Sequence, residues 1–380
     1  MSKITSKLLG YKLFRQFGRP HLLPVNLTVS VTYHCNSRCK TCNIWRKKVY
    51  LAKIENPSPS QTLPAESSNE VREFTPEEFE KTFLSLGKTP HWITFSGGEP
   101  FLRHDFLEIC KIAYRYCRPK VITIPTNGTL PKVISDTAAE ICSLCPETKI
   151  ILNCSIDEIG ERHDEIRGIE GNYEQVLETY QRLRNLDCPN LTIGIGTVIS
   201  TFNVDRFPVV YEEVMRLAPD SYVTEIAEER EELDTIGADI VPPLNKYVKA
   251  VDFLLMKLKT QKFVGLPKII QSFRKEYYCL VKRVLREKRQ AIPCYAGYAS
   301  AHITPHGEIW ACCVKAQVLG DLREADYNFR QLWVSEKAEE VRKDIKDKQC
   351  YCPLANVSYT NMLCHWQTLL RIGSNLFFRE

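Results

Sequence analysis

The stretch Val25-Asn26-Leu27-Thr28-Val29-Ser30-Val31-Thr32-Tyr33-His34-Cys35-Asn36-Ser37-Arg38-Cys39-Lys40-Thr41-Cys42 decides the reading of this chain. Its first half alternates apolar and polar residues, the pattern of a β-strand with two different faces. Its second half places three cysteines in eight residues with the spacing Cys-x3-Cys-x2-Cys. Three thiols so close cannot pair off into disulfides without one left over. They can hold three corners of a cubane [4Fe–4S] cluster, because thiolate is the preferred ligand of iron–sulfur iron. The fourth iron would then be free to bind a substrate or cofactor. A three-cysteine zinc knuckle is the plainer alternative.

The rest of the chain sets the frame. Its 380 residues suffice for more than one domain, and an apolar content of 44% is that of a globular protein. The net charge of +5 permits an anionic partner without requiring one. Sixteen cysteines are many for this length. Lys12 and Arg15 break up any apolar core near the start, so no signal peptide is read there. No apolar run has transmembrane length. Metal ligands and buried thiols in a reducing cytoplasm therefore fit better than a disulfide framework.

From Val25 to Ala227 strand and helix patterns alternate. Strands are expected at Val25–Tyr33, Trp92–Ser96, Val121–Pro125, Ile150–Ile156, Leu191–Ile199 and Tyr222–Ala227, each short and apolar. Helices are expected from Thr75 with a Thr75/Glu78 capping box, from Asp105 to about Cys117, and from Asn172 through Leu186. Repeated strand–helix units predict a parallel sheet with right-handed crossovers, whose site lies at the carboxyl ends of the strands. Three motifs fall at such ends: Ser96-Gly97-Gly98-Glu99-Pro100, Pro125-Thr126-Asn127-Gly128, and Asn153-Cys154-Ser155-Ile156-Asp157 with Arg167-Gly168 downstream.

A second cysteine-rich region runs from Cys294 to Cys364. Ala301–Thr304 and Glu308–Ala311 flank Pro305-His306-Gly307 as a hairpin that would bring Cys294 near Cys312, and Cys350-Tyr351-Cys352 follows. Cys110, Cys117, Cys142, Cys145, Cys154, Cys188 and Cys279 read as packed thiols. Residues 244–290 read as helical. The segment 53–70 reads as an inserted flexible loop, and Glu228-Glu229-Arg230-Glu231-Glu232 as a solvated acidic run. Both ends mix apolar and basic residues, which makes each a candidate for peripheral contact with a membrane.

The triad, the Gly-Gly-Glu-Pro run and the Ser155–Asp157 strand end together resemble the radical S-adenosylmethionine (radical SAM) superfamily over roughly residues 24–230. The Cys-x(9–15)-Gly-x4-Cys pattern from Cys294 to Cys312 resembles the opening of its SPASM and shorter twitch extensions, and residues 290–365 carry that likeness. The chain departs at Thr41, where an aromatic is usual. It departs again at Cys350-x-Cys352, where a full SPASM region has more cysteines.

The resemblance implies an α/β fold: a partial (β/α)6 TIM-like barrel followed by a small cysteine-rich SPASM/twitch-like α+β domain. The expected divisions are an N-terminal arm at 1–23, the core at 24–235, a helical bridge at 236–290, the auxiliary domain at 291–366 and a tail at 367–380. It implies that Cys35, Cys39 and Cys42 hold a catalytic [4Fe–4S] cluster. SAM would lie against Gly97, Gly98, Glu99, Asn127, Ser155, Arg167 and Glu225, with Glu99 receiving its amino group and Arg167 its carboxylate. Reductive SAM cleavage would then give a 5′-deoxyadenosyl radical that abstracts hydrogen from substrate. Cys294, Cys312, Cys350 and Cys352 would hold one auxiliary [4Fe–4S] cluster, with Cys313 or Cys364 as substitutes. Expected partners are a reductant such as flavodoxin or ferredoxin and a peptide, sugar or lipid precursor; no nucleic acid is expected. Peptide maturation or small-molecule oxidation is the leading reading, lipid or cell-envelope biosynthesis the alternative, and a zinc or iron–sulfur binding protein the non-enzymatic one.

Overall fold

The computed structural model describes residues 2–47, 72–261, 265–348 and 350–377. The expected loop at 53–70 lies outside them. Six strands run in chain order: β1 (Asn26–Thr32), β2 (Trp92–Gly97), β3 (Val121–Thr126), β4 (Lys149–Ser155), β5 (Leu191–Ile199) and β6 (Ser221–Ile226). Each pairs in parallel with the next. Three more follow: β7 (Ser300–Ile303), β8 (Glu308–Trp310) and β9 (Val318–Asp321). β7 pairs in parallel with β1, and β8 and β9 continue antiparallel. Among the described residues the result is one sheet in the order β6-β5-β4-β3-β2-β1-β7-β8-β9. The expected hairpin therefore extends the core sheet at the edge that β1 would otherwise leave open.

Strand alternation explains why this sheet wraps around a cavity. Leu27 and Val29 on β1, Ile93 and Phe95 on β2, Ile122 and Ile124 on β3, and Ile150 and Leu152 on β4 are all fully buried. The intervening residues, Thr28, Thr94, Ser96, Pro125, Asn153 and Ser155, line one cavity together with Gly196, Val223 and Glu225. The strands thus put an apolar face under the helices and a polar face inward. Residues from seven strands around one cavity require a curved, partial barrel.

The helices are α1 (Ser2–Phe17), α2 (Pro76–Leu86), α3 (Phe106–Cys117), α4 (Pro131–Leu144), α5 (Glu161–Arg167), α6 (Asn172–Arg184) and α7 (Phe207–Arg216). They continue as α8 (Leu244–Thr260), α9 (Leu266–Glu287), α10 (Phe329–Trp333), α11 (Glu336–Lys346), α12 (Ala355–Cys364) and α13 (Trp366–Phe377). The capping box of α2 forms as its sequence demands: Thr75 accepts from the Glu78 amide, and Glu78 accepts from the Thr75 amide. Asp105 precedes α3 without capping it, because its carboxylate is held by Arg103 instead. α1 packs Tyr11 and Phe14 into the core, and the Tyr11 hydroxyl donates to the Leu23 carbonyl. Leu9, Leu13 and Phe17 on the same helix stay exposed. Among the described residues no helix is long and apolar enough to cross a membrane.

Candidate functional site

β1 delivers the chain to the triad, and three neighbours clamp the loop that follows. The Arg38 amide donates to the Arg167 carbonyl and the Lys40 amide to the Ile166 carbonyl, each at 2.8 Å, so the end of α5 lies along the loop. Gly168 makes this approach possible: its φ is +67° and a Cβ there would sit 2.4 Å from the Arg38 carbonyl oxygen. From β2, the Gly98 amide donates to the Thr32 carbonyl and the Glu99 amide to the His34 carbonyl. A Cβ on Gly98 would lie 2.0 Å from that His34 oxygen. The amides of Gly98 and Glu99 are thus spent on the thiol loop, and the missing side chain of Gly98 is what lets the loop sit there.

Asn127 and Glu99 are likewise turned toward the scaffold. Asn127 Nδ2 donates to Asn36 Oδ1 and Ser37 Oγ, while its Oδ1 accepts from Thr129. The Glu99 carboxylate accepts from the Asn127 amide at 2.7 Å, from Thr126 Oγ1 at 2.9 Å and from the Phe101 amide at 3.3 Å. Full burial still raises its pKa to about 7 despite those donors. The structure thus gives the expected receiver of an amino group three protein donors already.

Cys35, Cys39 and Cys42 are partly buried and free, with burial as the main cause of their raised pKa values, to about 11 for Cys35 and about 12 for Cys42. Protonated thiols crowded in this way suit an iron–sulfur cluster, whose iron takes the place of the protons. Amides two residues on, at Ser37 and Ile44, point at Cys35 and Cys42. Arg167 Nη1 reaches Cys39 Sγ at 3.8 Å, and its Nη2 pairs with Asp157 Oδ2 at 2.9 Å. Burial alone would lower the Arg167 pKa, but Asp157 and Cys39 carry it upward. The guanidinium Nε is buried with no partner. Asp157 also accepts from the Val198 amide at 2.8 Å, which ties β5 to the same pair.

Behind the triad lies the cavity, about 270 Å³. Ser155, Arg167 and Glu225 line it, and so does Asn153, whose Oδ1 is buried and unpartnered. Its far wall belongs to the second cysteine region, with Ser300, His302, Cys312 and Cys313. Cys294, Cys312, Cys350 and Cys352 converge: Cys312 and Cys350 act on Cys294, and Cys294 and Cys312 on Cys352. Burial raises the pKa of each, Cys294 to about 12. Backbone amides of Ala296, Val314, Lys315 and Leu354 aim at these sulfurs. The donor set suits a cluster closed by four thiolates. Arg15 of α1 supports it from outside, donating to the Cys294 carbonyl at 2.8 Å. The two alternatives lie elsewhere. Cys364 faces Lys12 of α1. Cys313 is next in sequence to Cys312 but faces Glu232 and His302.

One expectation fails here. Glu228–Glu232 is no solvated run: Glu228 and Glu232 are buried, and Arg230 and Glu232 line the cavity. The amides of Glu231 and Glu232 donate to the Val314 and Cys313 carbonyls, so the turn between β8 and β9, distant in sequence, packs against them. The sequence reading placed Asn153 in a strand-end motif without giving it a role, and it missed His302. Both lie on the inward register of strands that were identified, so continued alternation would have found them. Of the thiols read as packed, Cys279 is exposed and Cys188 only partly buried.

A parallel α/β barrel with three clustered thiols after its first strand and four more across the cavity defines an iron–sulfur enzyme of the radical type. The model of the radical SAM superfamily matches residues 29–214, and that of the SPASM iron–sulfur cluster-binding domain matches residues 294–353. The chain belongs to the radical SAM superfamily and carries a SPASM domain. These domains bring a [4Fe–4S] cluster, SAM and auxiliary iron–sulfur binding. Among curated relatives, pre-heme d1 synthase of Dinoroseobacter shibae is 29% identical over 51% of this chain, which spans only 40% of that protein. The antilisterial bacteriocin subtilosin biosynthesis protein AlbA of Bacillus subtilis is 23% identical over 94% of this chain and 70% of its own length. Streptococcus suis SuiB, solved with its precursor peptide SuiA, shares the fold with a TM-score of 0.57 and 13% identity, over 90% of this chain and 71% of that one.

Proposed function

We propose that this radical SAM enzyme matures a peptide by oxidation. The observation that carries the substrate class is the reach of the likeness. Similarity to the subtilosin biosynthesis protein runs through 94% of the chain, against 85% for an AdoMet-dependent heme synthase of Methanosarcina barkeri and 51% for the heme d1 enzyme. The peptide complex of SuiB supports it at the level of the fold alone. The higher identity of the heme d1 enzyme favours a tetrapyrrole as the second reading.

In this reading Cys35, Cys39 and Cys42 hold the catalytic cluster. Gly97, Gly98, Glu99 and Asn127 build the wall that seats their loop, and Ser155 and Arg167 face SAM. A cluster and SAM held by these residues would supply hydrogen-abstraction chemistry. Glu225 and Arg230 face the substrate across the cavity, and the polar inner face of the strands orients it. Cys294, Cys312, Cys350 and Cys352 leave no open corner, so the auxiliary site serves electron transfer.

The test uses anaerobically reconstituted full-length protein. Wild type should carry about eight irons with matching sulfide, and a Cys35/Cys39/Cys42→Ala triple variant about four. Only wild type should form 5′-deoxyadenosine from SAM. A short peptide encoded beside the gene should lose the mass of two hydrogen atoms. Zinc without sulfide would sink the enzyme reading, and an unchanged peptide with a consumed porphyrin would move the substrate to the second reading.

A further inference from the structure

The cavity holds a second constellation that neither set of iron–sulfur thiols uses. Glu232 from the segment after β6, His302 from β7 and Cys313 from the turn after β8 each bring one ligand-type atom within 4.8 Å of the other two. All three are more than nine-tenths buried, at 6%, 2% and 8% exposure. Glu232 Oε1 lies 3.3 Å from His302 Nε2, and Ser30 Oγ lies 2.9 Å from the first and 3.0 Å from the second. Trp310 stacks on the imidazole with ring centres 5.3 Å apart, which fixes the plane of the ring. Yet His302 Nδ1 is buried with no partner.

We propose that Glu232, His302 and Cys313 form a third metal site, which takes one divalent ion of the zinc class and opens onto the cavity. Thiolate, imidazole and carboxylate together are the ligand set such ions select. Three protein ligands leave a fourth position, and all three side chains line the cavity. That is the arrangement of a site that meets substrate rather than a closed structural one. Ser30 supplies the outer support that holds ligands in place.

Charge points the same way. Glu225, Glu228 and Glu232 surround Arg230, which lies 3.6 Å from Glu225 and 3.4 Å from Glu228. Lys47 is the other cation facing Glu232 and His302. The carboxylates around Arg230 and Lys47 outnumber these two cations, which favours a further positive charge here.

The test loads the cluster-reconstituted protein with one equivalent of Zn²⁺, desalts it, and measures zinc and iron per chain. Wild type should retain about one zinc, whose X-ray absorption shows about one sulfur at about 2.3 Å among nitrogen and oxygen neighbours. Cys313→Ser and His302→Gln should each lose zinc about tenfold with iron unchanged, while Cys279→Ser should keep both. Failure of wild type to retain zinc would overturn the site. So would an all-sulfur zinc environment, or zinc persisting in both variants. Iron falling with zinc in Cys313→Ser would assign that thiol to an iron–sulfur cluster instead.

Discussion

Arg167 shows how a single residue binds this site together. Its carbonyl receives the thiol loop, one guanidinium nitrogen reaches Cys39, and another pairs with Asp157. The pair is almost wholly buried, with 11% and 2% side-chain exposure. Removing one member of a buried pair strands the other charge, which costs about 3 kcal/mol, more than the pair itself contributes. Asp157→Asn should therefore destabilise the reconstituted protein by about that much, and Arg167→Gln by a similar amount. The double variant should lose much less than both losses together, because neither charge is then stranded. Additive losses in denaturant titrations would mean that the two side chains are not coupled. The sequence put Arg167 at the site because an Arg-Gly pair followed a strand end. It could not show the pairing with Asp157, ten residues earlier, because that depends on how tightly α5 folds back over the triad. Glu99 and Asn127 carry the same lesson. A motif marks which residues gather near the thiols, but the direction each side chain takes is set by partners such as Asn36 and Thr126.

At the scale of elements, α2 joins the barrel to the SPASM region through Glu78. The capping carboxylate accepts from the Thr75 amide, from Arg72, from Arg323 Nε at 2.7 Å and from the Tyr327 hydroxyl at 2.9 Å. Desolvation alone would raise its pKa, but Arg323, the Thr75 amide and Tyr327 together hold it at about 2. In the unfolded chain a glutamate titrates at about 4.3. A folded value below the unfolded one gives stability that is present above about pH 4.3. It is lost as pH falls toward 2, because the unfolded chain takes up the proton first. Glu78→Gln should cost about 2 kcal/mol near pH 7 and flatten the loss of stability between pH 5 and pH 2. A variant whose melting temperature tracks wild type throughout that range would show that this network adds nothing. The capping box was legible from Thr75 and Glu78 because both partners lie within one turn. Arg323, 245 residues away, was not. The acidic run after β6 failed for the same reason. Nothing within Glu228–Glu232 reveals that the carbonyls of Cys313 and Val314 will cover it.

At the scale of the molecule, one curved sheet places the thiol triad after β1 and Cys312 after β8, and a helix from the far end of the chain closes its floor. Parallel strands alternating with helices were legible because each strand is a local pattern. The attachment of β7 to β1 was not, since 267 residues lie between Thr32 and Ser300. α12 then seats against β1: Asn26 Nδ2 donates to Asn356 Oδ1 at 2.6 Å and to Thr360 Oγ1 at 2.9 Å, and Asn356 Nδ2 donates to Thr28 Oγ1 at 2.7 Å. Leu354, Asn356 and Val357 line the cavity from below. Asn356→Ala would leave the Thr28 hydroxyl without its donor and Asn26 with one acceptor fewer, at a half-buried part of the cavity wall. Losing such contacts costs about 1 kcal/mol. The reconstituted variant should melt a few degrees lower and exchange the backbone amides of α12 faster with deuterium. Iron content should hold, because the four auxiliary thiols lie outside this contact. Asn245→Ala, on the exposed start of α8, should change neither readout. If α12 exchanges as slowly in Asn356→Ala as in wild type, apolar packing alone seats the helix. The polar contacts with β1 would then serve only to complete the cavity wall.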